Sequence, residues 1–189
     1  MHQLVVFASG KGSNVQAILD YFQSSGKAQI ALIVCNNPAG GVLDIAAAHQ
    51  IPVQLIDRSS VKEAAFVEML RSHSPSLLVL AGFLWKVPDS VVQAFPARII
   101  NIHPALLPKY GGKGMYGQHV HQAVIAAGEK ESGITIHYVN EHYDEGGAIL
   151  QARCALLPED THEGLAGRVH KLEHYFFPRT IEFLLDNLS

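Results

Sequence analysis

Three short segments carry the residues best suited to chemistry. The first is Asn101-Ile102-His103-Pro104. Alternate side chains of a strand share a face, so Asn101 and His103 project together, and Pro104 keeps His103 extended by disfavouring helical geometry before it. An amide beside an imidazole can polarise a carbonyl and stabilise the oxyanion of acyl transfer. Taken alone, the pair reads first as packed polar residues at a strand end. The second segment, Tyr143-Asp144-Glu145-Gly146-Gly147, places acids on a glycine-rich loop. If Asp144 reaches His103, it raises the imidazole pKa and orients the ring; otherwise it is a solvated turn residue. The third is Ser9-Gly10-Lys11-Gly12-Ser13-Asn14. Its glycines let the backbone approach a ligand, and a helix starting there aims free N–H groups at an anion. Lys11 adds charge, while Ser13 and Asn14 add donors. The spacing is not that of a Walker A loop. Val15 replaces the third glycine of the dinucleotide fingerprint, and Ile33-Val34-Cys35-Asn36 ends without a ribose-binding acid. A phosphate monoester fits this loop better than a dinucleotide, with a plain tight turn as the alternative.

These segments need elements to hold them. Short apolar runs occur at Leu4–Ala8, Ile30–Cys35, Pro52–Leu55, Leu77–Ala81 and Ile99–His103. Helical patterns lie between them: Val15, Ile18, Leu19 and Phe22 closed by Gly26; Leu43–His49; Val61, Ala65, Met69 and Leu70 capped by Ser59 or Ser60; and Pro88–Ala94. Strands alternating with helices imply right-handed crossovers and a mostly parallel sheet covered on both faces. Ile134–Tyr138 alternates as a half-buried or edge strand does, and Ala148–Ala155 reads as a further strand. Asp160-Thr161-His162-Glu163 suits a capping box for a last helix, which Pro178 should kink or interrupt. Tyr175, Phe176 and Leu184 on that helix read as core. The fold class is α/β, a single doubly wound, Rossmann-like domain over residues 1–189, with antiparallel strands toward its C-terminal part. Ligands of such sheets bind beyond the carboxyl ends of the strands, where all three segments fall.

Composition narrows the function classes. Of 189 residues, 48% are hydrophobic and 16% charged, which suits one packed core and argues against disorder. A net charge of −3 offers no basic stripe for nucleic acid. No apolar run reaches the ~18 residues a membrane span needs, and no leader precedes the first strand. Cys35 and Cys154 lie far apart and read as packed thiols of a reducing, cytoplasmic compartment. Eleven histidines invite a metal, and His119, His121, His137 and His142 are the candidates. Neither H-E-x-x-H nor a four-ligand cysteine spacing occurs, and His119 and His121 face different ways on a helix. No metal is expected.

Taken together, the segments resemble the phosphoribosylglycinamide formyltransferases, folate-dependent enzymes of purine synthesis. The resemblance covers essentially the whole chain and is most specific at Ala8–Asn14, Leu80-Ala81-Gly82-Phe83, Asn101–Tyr110 and Asp144-Glu145-Gly146. It implies 10-formyltetrahydrofolate as formyl donor, 5′-phosphoribosylglycinamide as acceptor, and Asn101, His103 and Asp144 as the catalytic trio. It also implies that Gly12, Ser13 and Asn14 hold the substrate phosphate, that Gly82 and Pro104 line the reaction site, and that Glu173 lies near the ribose. Leu84, Trp85, Lys86 and Val87 match one wall of the folate pocket, with Val139, Asn140 and Glu141 on the other. A cis peptide at Leu107-Pro108 is implied as well.

Some positions depart from the pattern. Trp85 stands where arginine is common, as does Lys62, for which Arg58 is a possible substitute. The Gly111–Gln118 segment is longer than usual, a lid or a surface insertion. Methionyl-tRNA formyltransferase and formyltetrahydrofolate hydrolase resemble the catalytic segment too. They usually carry a further C-terminal or N-terminal domain, respectively. A non-catalytic folate or nucleotide binder is the alternative from a different class. The sequence leaves the oligomeric state open.

Overall fold

The computed structural model of the chain describes residues 1–188. The first apolar run forms β1 (His2–Ala8), whose residues Leu4 to Ala8 are all buried. β1 pairs in parallel with β2 (Ala28–Cys35) on one side and β4 (Leu77–Leu80) on the other. Strands enclosed on both faces have no solvent side, which is why these runs are apolar without alternation. Helix α1 (Ser13–Ser25) joins β1 to β2, burying Val15, Ile18 and Phe22. It ends at Gly26, whose left-handed backbone lets its N–H bond the Phe22 carbonyl, as expected. α2 (Val42–Ala48) leads to the short, exposed edge strand β3 (Val53–Leu55). α3 (Ala64–Ser72) precedes β4, and α4 (Asp89–Ala94) leads to β5 (Ile99–His103). The chain closes with α5 (Gln118–Ala126), β6 (Glu131–Tyr138), β7 (Ala148–Ala155) and α6 (His162–Asp186).

The strand order is β3-β2-β1-β4-β5-β6-β7. Pairing is parallel as far as β5 and antiparallel from β5 to β7. This is the doubly wound sheet the sequence implies. Two apolar clusters cover it. One gathers Val15, Ile18, Ile134, Val169 and Phe177, and the other Phe7, Phe66, Leu70, Val91 and Ile99. Strand order reverses between β1 and β4, the point where such sheets bind ligands. There the Ser9 N–H donates to the Gly82 carbonyl at 3.1 Å, joining the two loops at the switch point.

Local expectations met several corrections. Residues Ser132 to His137 of β6 are buried, and the strand lies inside the sheet between β5 and β7. Its alternation is apolar core against polar site: Ile134 and Ile136 enter a core cluster, while Thr135 and His137 turn toward the loops beyond β5. Neither Ser59 nor Ser60 caps α3. Asp57 accepts from both of their N–H groups, a 3-10 turn covers Ser60–Lys62, and α3 starts after Glu63 with Ala65 exposed. The cap of α6 is Thr161, which accepts from Gly164 N–H at 3.1 Å, so Glu163 falls one position short of a capping box. Asp160 pairs with Arg168 instead. Pro178 does not interrupt α6. Its ring is buried, and the apolar side on both flanks (Leu165, Val169, Phe177, Ile181, Leu185) is packed away, outweighing the roughly 3 kcal/mol that proline costs a helix. Leu184 is buried and Phe176 half-buried, but Tyr175 is 54% exposed, lying under the Arg179 guanidinium. No described helix is long and apolar enough to cross a membrane.

Because α6 is held chiefly by its buried stripe, Phe177→Ala should lower unfolding stability by about 3–5 kcal/mol, measured by urea denaturation.

Candidate active site

β5 delivers Asn101 and His103 to its carboxyl end on one face, as two-residue spacing requires. Asp144 arrives from the β6–β7 connection. Its Oδ2 lies 3.6 Å from His103 Nδ1 and its Oδ1 3.5 Å from Asn101 Nδ2. The trio therefore converges. Asp144 itself has a left-handed backbone, φ 55°, a conformation that aspartate adopts more readily than most non-glycine residues. Gly146 sets that loop against β6: a Cβ there would stand 1.7 Å from the Tyr138 carbonyl oxygen, so only glycine permits the approach. The Leu107-Pro108 bond is cis, as the resemblance implies.

Hydrogen bonds assign the proton positions. His103 Nε2 lies 2.7 Å from the Tyr110 carbonyl oxygen. A carbonyl only accepts, so Nε2 carries a proton and Nδ1 is left facing Asp144. His137 Nδ1 likewise donates to the Tyr138 carbonyl at 2.8 Å, and its Nε2 accepts from Asn101 Nδ2 at 3.1 Å. One N–H of the Asn101 amide is thus committed to His137. The other makes only the long contact to Asp144 and is free to turn toward a reacting oxygen.

Electrostatics qualify the expectation that Asp144 raises the imidazole pKa. Burial pushes His103 below its usual value; the Asp144 charge and the Tyr110 carbonyl pull it up, but less strongly. Burial thus favours the neutral ring, against the acceptors that face both of its nitrogens. Burial also pushes Asp144 up, yet the opposing pulls, the Gly112 N–H at 2.9 Å among them, outweigh it and hold the carboxyl below its usual value.

The glycine loop forms as expected. Gly12 caps α1 at φ 81°, and a Cβ on it would meet Ile45 at 2.8 Å, so the loop needs glycine for both conformation and space. Ser13 is exposed at the helix start, and Lys11 is exposed beside it. Asn14 Nδ2 donates to Glu173 Oε2 at 3.0 Å, bringing α6 to the loop. Glu173 is buried, which pushes its carboxyl up, against the Asn14 hydrogen bond and the His170 charge. Asn14 Oδ1 is buried and has no hydrogen-bond partner among the described residues. Gly82 turns at φ 75° next to the loop, and Pro104 is half-buried just after β5.

Across the switch point, Val87, Trp85 and Val139 meet in one apolar cluster, so the segments expected on opposite walls converge. Leu84 is 48% exposed, and Lys86 is exposed and paired with Asp89. Asn140 is half-buried with Oδ1 accepting from His142 N–H, and Glu141 is exposed. Lys62 is exposed at the end of its 3-10 turn. It is Arg58 that reaches this wall, its guanidinium 4.6 Å from the Trp85 ring centre. The Gly111–Gln118 segment is pinned at its start by the Gly112–Asp144 bond.

Four site residues have structural roles that the sequence reading did not assign. His137 was visible only as a metal candidate. Tyr110 and Gly112 act through the backbone, which carries no type signal. Ser9 is the fourth: its hydroxyl donates to Asn36 at 2.6 Å and accepts from Leu84 N–H at 3.0 Å, tying three strand ends together. His119 is exposed and His121 buried, the separation a helix imposes, and no cluster of three or more His, Cys, Asp or Glu side chains suited to a metal occurs among the described residues.

The model of the formyl transferase family matches residues 2–181, and the chain belongs to that family. Within it, the chain is 39% identical over 191 residues to the phosphoribosylglycinamide formyltransferase of Bacillus subtilis, covering 98% of this chain and 95% of that protein. It is 39% identical over 186 residues to the chloroplastic phosphoribosylglycinamide formyltransferase of Arabidopsis thaliana, covering 95% of this chain but spanning only 64% of that relative's length. The crystal structure of phosphoribosylglycinamide formyltransferase from Anaplasma phagocytophilum superimposes with a TM-score of 0.89 at 33% identity, covering 98% of this chain and 87% of that one.

Two outcomes follow from this geometry. The His103 ring should titrate by NMR with a midpoint below about 6.5. Asp144→Asn, which removes the charge that raises it, should move the midpoint lower still; a rise would contradict the pairing. Gly146→Ala should displace Asp144 and reduce activity well beyond any loss of melting temperature.

Proposed function

We propose that the chain transfers the formyl group of 10-formyltetrahydrofolate to the amine of 5′-phosphoribosylglycinamide, giving the N-formyl product and tetrahydrofolate in purine synthesis. The observation carrying this reading is the convergence of Asn101, His103 and Asp144 beside a helix start suited to a phosphate. The relatives' names support it. So does the unpaired Asn14 Oδ1 next to Glu173, which offers a polar acceptor substrate a partner where its ribose and phosphate would lie. The wall of Leu84, Trp85, Lys86 and Val87 facing Val139, Asn140 and Glu141 suits the donor, with Gly82 and Pro104 at the junction. Arg58 takes the cationic place expected of Lys62.

The chemistry needs one mobile proton. The acceptor amine attacks the formyl carbon, a C–N bond forms, and the carbonyl electron pair moves onto oxygen. The amine proton passes to neutral His103 Nδ1, directly or through water. Asp144 then holds the imidazolium, while the free N–H of Asn101 turns to the oxyanion. As the bond to folate N10 breaks, Nδ1 returns the proton to N10. His103 thus enters neutral and becomes charged during the reaction, so binding need not supply a proton. Both partners are small molecules; neither nucleic acid nor membrane takes part. Residues 1–189 act on this reading as one formyltransferase domain, and the free thiols Cys35 and Cys154 suit the cytoplasm.

A spectrophotometric assay with a 10-formylfolate donor, phosphoribosylglycinamide and a chelator tests the proposal. Donor turnover should require the acceptor, persist in chelator and be abolished by His103→Ala. Asn101→Ala should slow it by about 10²–10³. Turnover without acceptor would identify a hydrolase, and absence of turnover would overturn the assignment.

A further inference from the structure

Gln151 stands on β7, the last strand of the sheet and outside the catalytic trio, yet its side-chain amide is committed twice. Nε2 donates to the Leu107 carbonyl at 2.9 Å and to Thr135 Oγ1 at 3.0 Å. Thr135 and Gln151 are register partners on β6 and β7, which places both side chains on one face of the sheet. Thr135 Oγ1 also donates to the Ala105 carbonyl at 2.7 Å and accepts the Leu107 N–H at 3.0 Å. With the Gln151 bond, the one proton and two lone pairs of this hydroxyl are all used. The turn after β5 is thereby tied to the antiparallel strands at Ala105 and at both backbone polar groups of Leu107.

Leu107 passes this placement on to Asp144. A Cβ at Gly111 would stand 2.5 Å from Leu107 Cδ2 and 3.3 Å from Asp144 Cβ, so the bare Gly111 backbone lies wedged between the two side chains. The next residue, Gly112, donates its N–H to Asp144 Oδ2 at 2.9 Å. Packing does not close around the turn, because a cavity of about 230 Å³ opens between Leu107, Pro108, Lys109 and Gln151. Hydrogen bonds therefore carry the burden of fixing Leu107. We propose that Gln151 is a positioning residue that holds Asp144 against His103 and Asn101 through Leu107, Gly111 and Gly112. Water can solvate the Leu107 carbonyl or the Thr135 hydroxyl in its place, but water does not tie the turn to β7. A displacement of about 1 Å caused by a substitution far from the chemistry can cost about 10²-fold in rate. The consequence for turnover rests on the formyl-transfer reading above; the consequence for the Gly112–Asp144 contact does not.

Amide hydrogen exchange at Gly112, measured by NMR alongside the formyl-transfer assay, separates the two. Gln151→Ala removes the donor, and Gln151→Glu keeps the side chain's size but offers the Leu107 carbonyl no N–H. Both variants should speed exchange at Gly112 and lower kcat by roughly 10- to 100-fold, with the KM for the acceptor little changed. Arg153→Ala, two residues along the same face of β7 and paired with Glu131 rather than with the turn, should leave both readouts as they were. Wild-type exchange at Gly112 in either Gln151 variant would overturn the proposal, whatever happens to turnover. So would Gln151→Glu matching the unaltered protein, which would reduce the role to filling space, or Arg153→Ala matching Gln151→Ala, which would reduce it to the strand as a whole. Faster Gly112 exchange in a protein that never transfers formyl would instead refute the functional reading and leave the placement of Asp144 by Gln151 standing.

Discussion

Both oxygens of the Asp144 carboxylate are engaged, and each lies 3.6 Å from a histidine ring nitrogen. Oδ2 also accepts the Gly112 N–H, and Oδ1 has the long contact to the Asn101 amide. An anion in a mostly buried pocket must be compensated by donors or charge, or it takes up a proton. Here the donors are the Gly112 N–H and, at longer range, the Asn101 amide, while the flanking imidazoles are themselves fixed by carbonyls, Tyr110 for His103 and Tyr138 for His137. The carboxylate thus gathers β5, β6 and the segment before α5 around one point.

The sheet supplies this arrangement through its change of direction. β5 is the last parallel strand and pairs with antiparallel β6. Asn101 and His103 therefore sit beside His137 and Thr135, their register partners, rather than beside another apolar run. Thr135 uses its hydroxyl to bond the Ala105 carbonyl and accept the Leu107 N–H, shaping the turn that leads to Tyr110. Thr135 and His137 are consequently buried without being unsatisfied. That is how an interior strand can show the alternating pattern of an edge.

A second tie operates at the switch point. Ser9 joins the glycine loop to the ends of β2 and β4, and Asn14 joins it to α6 through Glu173. The glycine loop and the segment after β4 are thereby built on shared backbone. Beside this junction, Arg58 over Trp85 places a cation against an aromatic face where the family pattern leads one to expect arginine within the segment itself.

The sequence by itself determined the sheet class, the glycine loop at a helix start, the shared face of Asn101 and His103, and the family resemblance. These follow from local rules: period two in strands, the demand for glycine at tight backbone approaches, and the continuous apolarity of enclosed strands. Only the tertiary structure decided that β6 is interior, that α6 runs through Pro178, and that Arg58 rather than Lys62 meets Trp85. It also decided the proton inventory of the site. The tautomers of His103 and His137 depend on carbonyls at Tyr110 and Tyr138, and every residue type carries a carbonyl, so no pattern of letters marks them. The downward push on the His103 pKa depends on burial outweighing a nearby carboxylate, and that balance exists only once distant segments have packed.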